Sequence, residues 1–473
     1  MSSRGRCSRA ATGALGARDV ALEVLEAVDE KGAFTALSLR SRLDRSGFDP
    51  RESAFATQLV YGTLRWLLRL DWHLQLVLDR PLASVDPRVR NVLRLGLYQA
   101  LFLQSVPGPV AVNESVELAR RWGEGRAAGL VNAVLRRALS LDAKRLLPSF
   151  REHPVDHLSL RYSHPRWLVK RWWDRLGYPE VVRLLWANNR WPPMVLRANR
   201  LRTTGSELVA RLRAAGLDAR PGRWVPEAVR VSRFPAPERS ELYREGLFQV
   251  QDESSMLVAY AVAPRPGDLV LDLCSAPGGK STHLAEHMGN VGRVIAFDPH
   301  PGKLRLVAGA AARLGLSIVE TQVADARTVT GWQADRVLVD APCSGLGVIR
   351  RRPELRWRQS PERIAELVKL QREILANAAR LVKPGGILVY STCTTEPEEN
   401  EGNLRWFIQN HPSFHADSLL PYLPPDAARV LLEGVPREEG RARGEEGAMI
   451  QLWPHRHGTD GFFLARLRRR ESG

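Results

Sequence analysis

The stretch from Asp268 to Lys280 constrains the fold of this chain more than any other. Leu269–Leu273 is a short apolar run typical of a buried strand, and Pro277-Gly278-Gly279 follows as a tight turn. A helical pattern opens at Lys280. A strand, a glycine turn and a helix N-terminus together expose backbone N–H groups and let the main chain approach a ligand closely. The spacing is not Gly-x-Gly-x-x-Gly, so a dinucleotide is not the first expectation.

Strands and helices alternate after Gly267, and this order predicts a doubly wound α/β domain with a largely parallel, Rossmann-like sheet. The predicted strands are Leu269–Leu273, Val294–Phe297, Ile318–Gln322, Arg336–Val339 and Ile387–Tyr390, with closing strands near Met449–Leu452 and Phe462–Leu467. The predicted helices include Pro301–Leu314 and one around Pro361–Val382. Between them, Pro424–Gly447 has the composition of a loop-rich insertion.

The first half of the chain has a different pattern. Residues 1–16 are small, polar and basic, which indicates a flexible tail, and residues 17–145 carry apolar stripes at helical spacing without β-type alternation. An all-helical domain is therefore expected there. Residues 146–266 combine helices with short strands at Val195–Ala198 and Ala228–Val231, which predicts a small intermediate α+β domain. The remaining residues, 267–473, form the predicted α/β domain.

Charge and cysteine content narrow the class of protein. The net charge of +17 favours a polyanionic partner, with nucleic acid ahead of an anionic membrane, although a strong arginine bias can also reflect genome composition. The four cysteines form no Cys-x-x-Cys pair and no disulfide framework, so neither zinc nor an oxidising compartment is expected. No run approaches the roughly 20 apolar residues of a spanning helix. We expect a soluble, cytoplasmic monomer without a metal.

Polar residues stand at the carboxyl ends of the predicted strands, where ligands bind in an open parallel sheet. Asp298 and Asp325 follow the second and third strands, and with the glycine turn they suit an adenosine-containing cofactor. Asp340–Gly345 and Tyr390–Cys393 follow the fourth and fifth, which sets two thiols, Cys343 and Cys393, at neighbouring strand ends. Buried cysteine can also act as a small hydrophobe, and Asp298 can cap a helix.

An arginine-rich segment follows Cys343. It contains Arg350, Arg351, Arg352, Arg356, Trp357 and Arg358. Cations beside a candidate thiol, with an aromatic ring among them, predict a track for RNA phosphates with a stacking partner for a base. The alternative is a solvated charged loop.

The motifs Asp-Leu-Cys-Ser-Ala-Pro-Gly-Gly-Lys, Asp-Ala-Pro-Cys-Ser-Gly and Tyr-Ser-Thr-Cys, with Pro397-Glu398-Glu399-Asn400, resemble those of the Nol1/Nop2/Sun family of RNA cytosine-5 methyltransferases. The helical N-terminal part resembles the NusB-type RNA-binding domain, through Val60-Tyr61-Gly62, Gly96-Leu97-Tyr98-Gln99 and Gly129–Arg136. The resemblance spans nearly the whole chain. It implies transfer of a methyl group from S-adenosyl-L-methionine to a cytosine of 16S rRNA.

The resemblance also assigns roles to residues. In this family the Thr-Cys thiol attacks the base, which points to Cys393, and the Pro-Cys thiol, Cys343, takes part in releasing the methylated product. DNA cytosine methyltransferases use the Pro-Cys thiol to attack, so the reverse assignment stays open. Asp340 would steady the cytosine ring or the amino-acid end of the cofactor, and Lys280 would order the surroundings of the thiols.

The implied cofactor site uses the glycine turn and the strand-end carboxylates. Asp298 would hold the ribose and Asp325 the adenine edge. The methionine part would be wrapped by Cys274, Ser275, Ala276, Pro277, Gly278 and Gly279, and Lys280 and Asp340 complete the implied set of cofactor-binding residues. Two other functions are kept open: a non-catalytic RNA-binding or antitermination factor, and a tRNA cytosine-5 methyltransferase.

Overall fold

The structure is a computed structural model that describes residues 15–232, 234, 236–433 and 447–471. The chain divides into two compact units, one of Met1–Asn189 with Arg352–Arg358, the other of Arg190–Arg351 with Gln359–Gly473. Most of the predicted N-terminal tail, including Cys7, lies outside the described residues. So do residues 434–446 of the predicted insertion, whereas its first part forms a helix rather than a loop.

The described helices and strands are labelled in chain order. The first helices are α1 (Ala17–Lys31), α2 (Thr35–Ser46), α3 (Pro50–Arg65), α4 (Leu67–Gln75), α5 (Pro87–Phe102), α6 (Gly108–Arg121), α7 (Ala128–Ser140), α8 (Pro154–Tyr162), α9 (Arg166–Leu176) and α10 (Glu180–Asn189). Next come β1 (Met194–Ala198), α11 (Gly205–Ala214), β2 (Ala219–Pro221), β3 (Ala228–Val231), α12 (Glu241–Arg244), β4 (Phe248–Val250) and α13 (Glu253–Val262).

The α/β part follows. Its first half contains β5 (Leu269–Asp272), α14 (Gly279–His287), β6 (Arg293–Asp298), α15 (Pro301–Leu314), β7 (Val319–Val323) and β8 (Ala334–Asp340). Helix α16 (Leu355–Arg358) belongs to the first unit. The second half of the α/β part contains α17 (Pro361–Leu381), β9 (Val382–Thr392), α18 (Glu401–Asn410), β10 (Phe414–Ala416), α19 (Pro425–Glu433), β11 (Met449–Leu452), α20 (Pro454–His457) and β12 (Phe462–Arg469).

The N-terminal part of the first unit is all-helical, as predicted. Aspartates mark where two of its helices begin: Asp49 accepts hydrogen bonds from Arg51 N and Glu52 N at 2.8 Å each, and Asp86 caps α5 in the same way. In both helices a proline occupies the first position, where its missing N–H costs nothing. The apolar stripes of α1, α3, α5, α6 and α7 meet in one core.

The second unit contains two sheets. The smaller is antiparallel, with strand order β2-β3-β1-β4, and α11 packs against it. This confirms the predicted α+β segment. Leu196, Leu208, Val229 and Phe248 are buried between the sheet and its helix.

The larger sheet has the order β10-β12-β9-β8-β5-β6-β7, with β11 also paired to β12. Strands β9, β8, β5, β6 and β7 are parallel, and β12 lies antiparallel to β9. The five predicted parallel strands and the two closing strands are therefore confirmed. The strand order reverses between β5 and β8, and at such a point the loops after the two strands diverge and leave a crevice for a ligand.

A close approach of α3 and α5 generates the first testable prediction. A Cβ atom on Gly62 would lie 1.9 Å from Cζ of Tyr98, whose ring is almost fully buried. Gly62→Ala is therefore expected to lower the free energy of unfolding by about 2 kcal/mol through overpacking, measured by urea denaturation. Gly129→Ala is the control, because nothing lies within 4 Å of its Cβ position. Equal stability of both variants would contradict this account.

Candidate active site

The turn after β5 is held close to the neighbouring strand and helix. Ser275 donates through its backbone N and its Oγ to the Phe297 carbonyl, each at 2.9 Å. Gly278 has a φ of 103°, and a Cβ there would lie 2.9 Å from Cα of Val307 in α15. Only glycine fits both requirements. The turn therefore places the N-terminus of α14 at the carboxyl edge of the sheet.

An ion pair joins the first turn of α14 to the end of β8. Lys280 Nζ donates to Asp340 Oδ2 at 2.6 Å, and Ser391 Oγ donates to Asp340 Oδ1 at 2.8 Å. Burial alone would lower the pKa of Lys280, but the Asp340 carboxylate, together with Cys393 and Asp272, raises it above its ordinary value. The ammonium therefore stays charged, within electrostatic reach of the Cys393 sulfur.

The two thiols predicted at neighbouring strand ends lie together. Cys343 Sγ and Cys393 Sγ are 3.4 Å apart, and both residues are partly exposed. Parallel pairing of β8 and β9 sets Asp340 opposite Ser391, so the loops after the two strands begin side by side. The hydrogen bond with Cys393, followed by desolvation, raises the pKa of Cys343 well above its ordinary value. Cys343 is therefore a protonated thiol at neutral pH.

The other predicted cofactor residues lie around the same edge. Asp298 ends β6, is almost fully buried, and accepts a hydrogen bond from His300 N at 2.9 Å. The side chain of Arg327 binds both carboxylate oxygens of Asp325, at 3.0 and 2.6 Å, and lowers the pKa of Asp325. Desolvation and the surrounding aspartates raise the pKa of Cys274, so its thiol stays neutral.

Asp272 is a site residue that sequence reasoning missed. It ends β5, is fully buried, and accepts hydrogen bonds from Ser281 Oγ at 2.7 Å and from Cys274 N at 3.4 Å. Burial raises the pKa of Asp272 to about 6, and the nearby Asp340 carboxylate contributes. A carboxylate that ends an apolar strand run is the signal that would have found it.

Arg197 is a second residue that was missed. Its fully buried guanidinium pairs with Glu286 of α14 at 2.6 Å and donates to the Gly279 carbonyl at 2.6 Å and to Thr282 Oγ1 at 3.1 Å. Because Arg197 lies in β1, these bonds fix the glycine turn to the small antiparallel sheet of the same unit.

The structure corrects the predicted RNA track at Arg350. This residue is buried, and its Nε donates to Asp460 at 2.6 Å; the Arg351 guanidinium binds Asp460 and Asp252 at 2.6 and 2.7 Å. The prediction is wrong for Arg350 and Arg351, because buried carboxylates bind both guanidinium groups inside the protein. Arg352 is exposed.

The correction extends to Arg356. Its side chain is fully buried in the first unit, where it donates to the Ser163 carbonyl at 3.0 Å and to Asn189 Oδ1 at 2.9 Å. Trp357 Nε1 and Arg358 also donate to backbone carbonyls of this unit, and both are partly exposed. Arg356 therefore does not face RNA, because its donors satisfy carbonyl groups where water is excluded.

Among the described residues, one group could geometrically hold a metal ion: Glu227, His283 and His287, whose ligand atoms lie within 4.8 Å of one another. The possible metal-ligand atoms of this group already take part in hydrogen bonds within the protein. Glu227 accepts from His283 Nε2 at 2.9 Å and from Tyr260 OH at 2.8 Å, and Arg200 lies 2.8 Å from His287 Nε2. The guanidinium of Arg200 opposes a cation at this position. The sequence expectation of no metal stays a prediction.

Comparisons with known proteins agree with this architecture. A family model described as 16S rRNA methyltransferase RsmB/F matches residues 259–468, a NusB family model matches 15–140, and a ferredoxin-like domain of RsmF/B-like methyltransferases matches 164–236. A Bacillus subtilis (strain 168) protein named "Probable ribosomal RNA small subunit methyltransferase B" is 38% identical over 96% of this chain and 98% of its own length. This chain belongs to the RsmB/F family of rRNA methyltransferases.

This chain is also similar to the ribosomal RNA small subunit methyltransferase B of Salmonella paratyphi A, which is 36% identical over 95% of this chain and 98% of its own length. The solved "Crystal Structure of PH0851" has a TM-score of 0.79 and 28% identity, covering 96% of this chain and 99% of that one. "NSun6 from Pyrococcus horikoshii with SFG" shares the fold, with a TM-score of 0.55, 23% identity, and coverage of 65% and 99%. The protein is thus an RNA methyltransferase.

None of the described helices has both the length and the apolar character needed to cross a bilayer.

The buried carboxylates that bind the arginines generate the second prediction. Burial would raise the pKa of Asp252, but Arg351 and Arg350 lower it to about 2. Asp252→Asn is expected to cost about 3 kcal/mol of unfolding free energy at pH 7, because it breaks a buried charge network. The depressed pKa contributes stability above the unfolded value near 3.9, and this contribution is lost as the pH falls toward 2.

Urea denaturation between pH 8 and pH 3 measures this difference. It should be constant down to about pH 5 and shrink below about pH 4. Asp218→Asn is the control, since its pair with Arg220 is largely exposed and should matter little. A pH-independent difference would contradict the charge account.

Proposed function

We propose that this RsmB/F family member methylates C5 of one specific cytosine in 16S rRNA, of the cytosine-967 type, with S-adenosylmethionine as methyl donor. The observation that carries the proposal is the 3.4 Å separation of Cys343 Sγ and Cys393 Sγ, beside the Lys280–Asp340 ion pair. Two thiols at one sheet edge suit a reaction in which one adds to the base and the other assists its release.

Cytosine C5 is a poor nucleophile, and a thiolate bonded to C6 activates it. In the proposed reaction the Cys393 thiolate would bond to C6, and C5 would take the methyl group with S-adenosylhomocysteine as the leaving group. A base would then take the C5 proton while the Cys393–C6 bond breaks, which returns the thiolate and restores the aromatic ring. When bound, S-adenosylmethionine supplies an electrophilic methyl group on a sulfonium. The target base must leave its stack to reach the thiols.

The electrostatics favour Cys393 as the attacking thiol. The raised pKa of Cys343 keeps its proton, so its S–H can donate to the Cys393 sulfur. The Lys280 ammonium interacts electrostatically with Cys393 and favours a negative sulfur there. Asp340 holds that ammonium in place and is itself held by Ser391. These contacts support the assignment of attack to Cys393 and of release to Cys343.

The glycine turn and two carboxylates suit the proposed cofactor. The N-terminus of α14, reached through Cys274–Gly279, presents backbone N–H groups to the amino-acid end of a ligand. Asp298 ends the strand next to β5, in the position from which a carboxylate can bind a ribose hydroxyl pair. Asp325, placed one strand further, would face the adenine edge.

Arg352, Trp357 and Arg358 remain candidates for contact with RNA.

Transfer of a labelled methyl group from S-adenosylmethionine to small-subunit rRNA tests the function. Bisulfite sequencing of the product should find one methylated cytosine. Incorporation into tRNA but not into 16S rRNA would overturn the proposed substrate. Absence of incorporation into either RNA would overturn both the proposed substrate and the proposed reaction.

Replacing each thiol gives the third prediction. Cys393→Ala is expected to abolish methyl transfer, because no nucleophile then adds to C6. Cys343→Ala is expected to accumulate a covalent protein–RNA adduct, seen as a shifted band on a denaturing gel. Cys7→Ala serves as the matched cysteine control and should behave like the wild type. An adduct with Cys393→Ala, and none with Cys343→Ala, would reverse the two roles.

The carboxylates generate the fourth prediction. Asp298→Ala is expected to weaken S-adenosylmethionine binding about tenfold or more, the value of a hydrogen bond to a charged group. Asp325→Ala should have a smaller effect, because Arg327 already occupies both oxygens of Asp325. Isothermal titration calorimetry measures both. Unchanged affinity in Asp298→Ala would remove the ribose contact from the proposal.

A further inference from the structure

The loop of residues 341–345, after β8, carries Cys343 and is called the Cys343 loop. The segment of residues 393–400, which joins β9 to α18, is called the Cys393 loop and also carries Glu399. The Glu399 side chain is fully buried. Its Oε1 accepts hydrogen bonds from Ser344 N at 2.8 Å and from Gln371 Nε2 at 2.9 Å, and its Oε2 accepts from Ser344 Oγ. Ser344 directly follows Cys343 in the chain. One carboxylate thus holds both the backbone and the side chain next to this thiol.

The same hydrogen-bond network includes the residue that directly follows Cys393. Ser344 Oγ lies 2.7 Å from Thr394 Oγ1, and Thr394 directly follows Cys393. The two cysteines are therefore linked behind their sulfur atoms through Ser344 and Thr394. The Glu399 carboxylate binds both the backbone N–H and the hydroxyl of Ser344, and it also interacts with the side chain of Thr394.

Glu399 is itself rigidly supported. Its backbone carbonyl accepts from Tyr390 OH at 2.6 Å and from Asn403 Nδ2 at 3.2 Å. The following residue, Asn400, accepts from Thr392 Oγ1 at 2.6 Å and donates to the Thr394 carbonyl at 3.2 Å. Strand β9 and helix α18 thus fix the position of this carboxylate. A side chain held in this way can impose a position on a loop instead of following it.

Glu399 also acts on Cys343 through its charge. Burial raises the pKa of Glu399 even though its donors stabilise the anion. The Glu399 charge also contributes to the raised pKa of Cys343. Such a carboxylate helps to keep the Cys343 proton in place, in addition to holding the loop.

We propose that Glu399 is a positioning residue that sets the Cys343 loop against Cys393, and that its loss impairs release of the methylated base more than attack by Cys393. The inference rests on the proposed roles of the two thiols. The asymmetry follows from the contacts, because Glu399 makes two hydrogen bonds to Ser344, one of them from its backbone N–H, whereas its interaction with Thr394 involves only that side chain. A residue with only a structural role would reduce both steps in parallel.

The experiment compares Glu399→Gln and Ser344→Ala with Glu398→Gln, which changes the same charge at the adjacent, exposed position. Full-length protein is mixed with S-adenosylmethionine and 16S rRNA. Covalent adduct and released methylated RNA are quantified over one turnover at several pH values. S-adenosylmethionine affinity and thermal melting are measured in parallel to establish that each variant is folded.

Glu399→Gln is expected to raise the ratio of adduct to released product about tenfold, the effect of losing one hydrogen bond to a charged acceptor. Cofactor affinity should be unchanged, and the pH profile of release should shift because the charge near Cys343 is gone. Ser344→Ala should show the same change in ratio, so the proposal can be tested even if Glu399→Gln does not fold. Glu398→Gln should match the wild type.

A ratio equal to that of the wild type in both Glu399→Gln and Ser344→Ala would overturn the positioning role. Cys343→Ala run on the same gel separates this failure from failure of the proposed mechanism. An adduct in Cys343→Ala without one in the Glu399 and Ser344 variants refutes only the role of Glu399. No adduct in any of the three refutes the thiol roles and, with them, this inference.

Discussion

Parallel pairing of β8 with β9, in the register that sets Asp340 opposite Ser391, is the constraint on which the site depends. Both strands run toward the same edge of the sheet, so the loops that follow them start as neighbours. Cys343 lies three residues beyond Asp340 and Cys393 two beyond Ser391. A shift of one residue in this pairing would turn every side chain of one strand to the opposite face and separate the sulfurs.

Burial of charged groups at this edge of the sheet costs free energy, and nearby groups of opposite charge offset part of that cost. Asp272, Asp340 and Lys280 lie within one network, and the raised pKa of Asp272 shows that its charge is disfavoured there. The Lys280 ammonium interacts with the Asp340 and Asp272 carboxylates and with Cys393, and its hydrogen bond to Asp340 fixes its position. The same preorganisation that stabilises charge in a reaction therefore lowers the intrinsic stability of this edge.

Much of the fold follows from local pattern. The helix Pro301–Leu314 and the strands Ala228–Val231 and Met449–Leu452 have the bounds that their periodicity and flanking prolines or glycines predict. Strand-end polar residues identified Lys280, Asp340, Cys343 and Cys393, which the structure brings together, because parallel strands end at a common edge.

Contacts between residues that are far apart in the sequence could not be predicted from local pattern. Arginines at Arg350 and Arg351 have the pattern of an exposed cationic track, yet Asp252 and Asp460 lie 99 and 109 positions from Arg351 and draw these side chains inward. Glu399 stands in a recognisable motif, but its partner Ser344 is 55 positions away. No local periodicity encodes such pairs, which arise only when distant elements pack.

The segment Arg352–Arg358 has a consequence for how the protein can be divided. The polypeptide leaves the second unit directly after the Cys343 loop, contributes seven residues to the first unit, and returns before α17. A cut after Asn189 would therefore not yield two intact halves, since it would strip the cover from the buried Arg356 guanidinium and leave four accepting oxygens without their donor. A protease that cuts at this point would therefore release fragments that each lack part of the packing of the first unit.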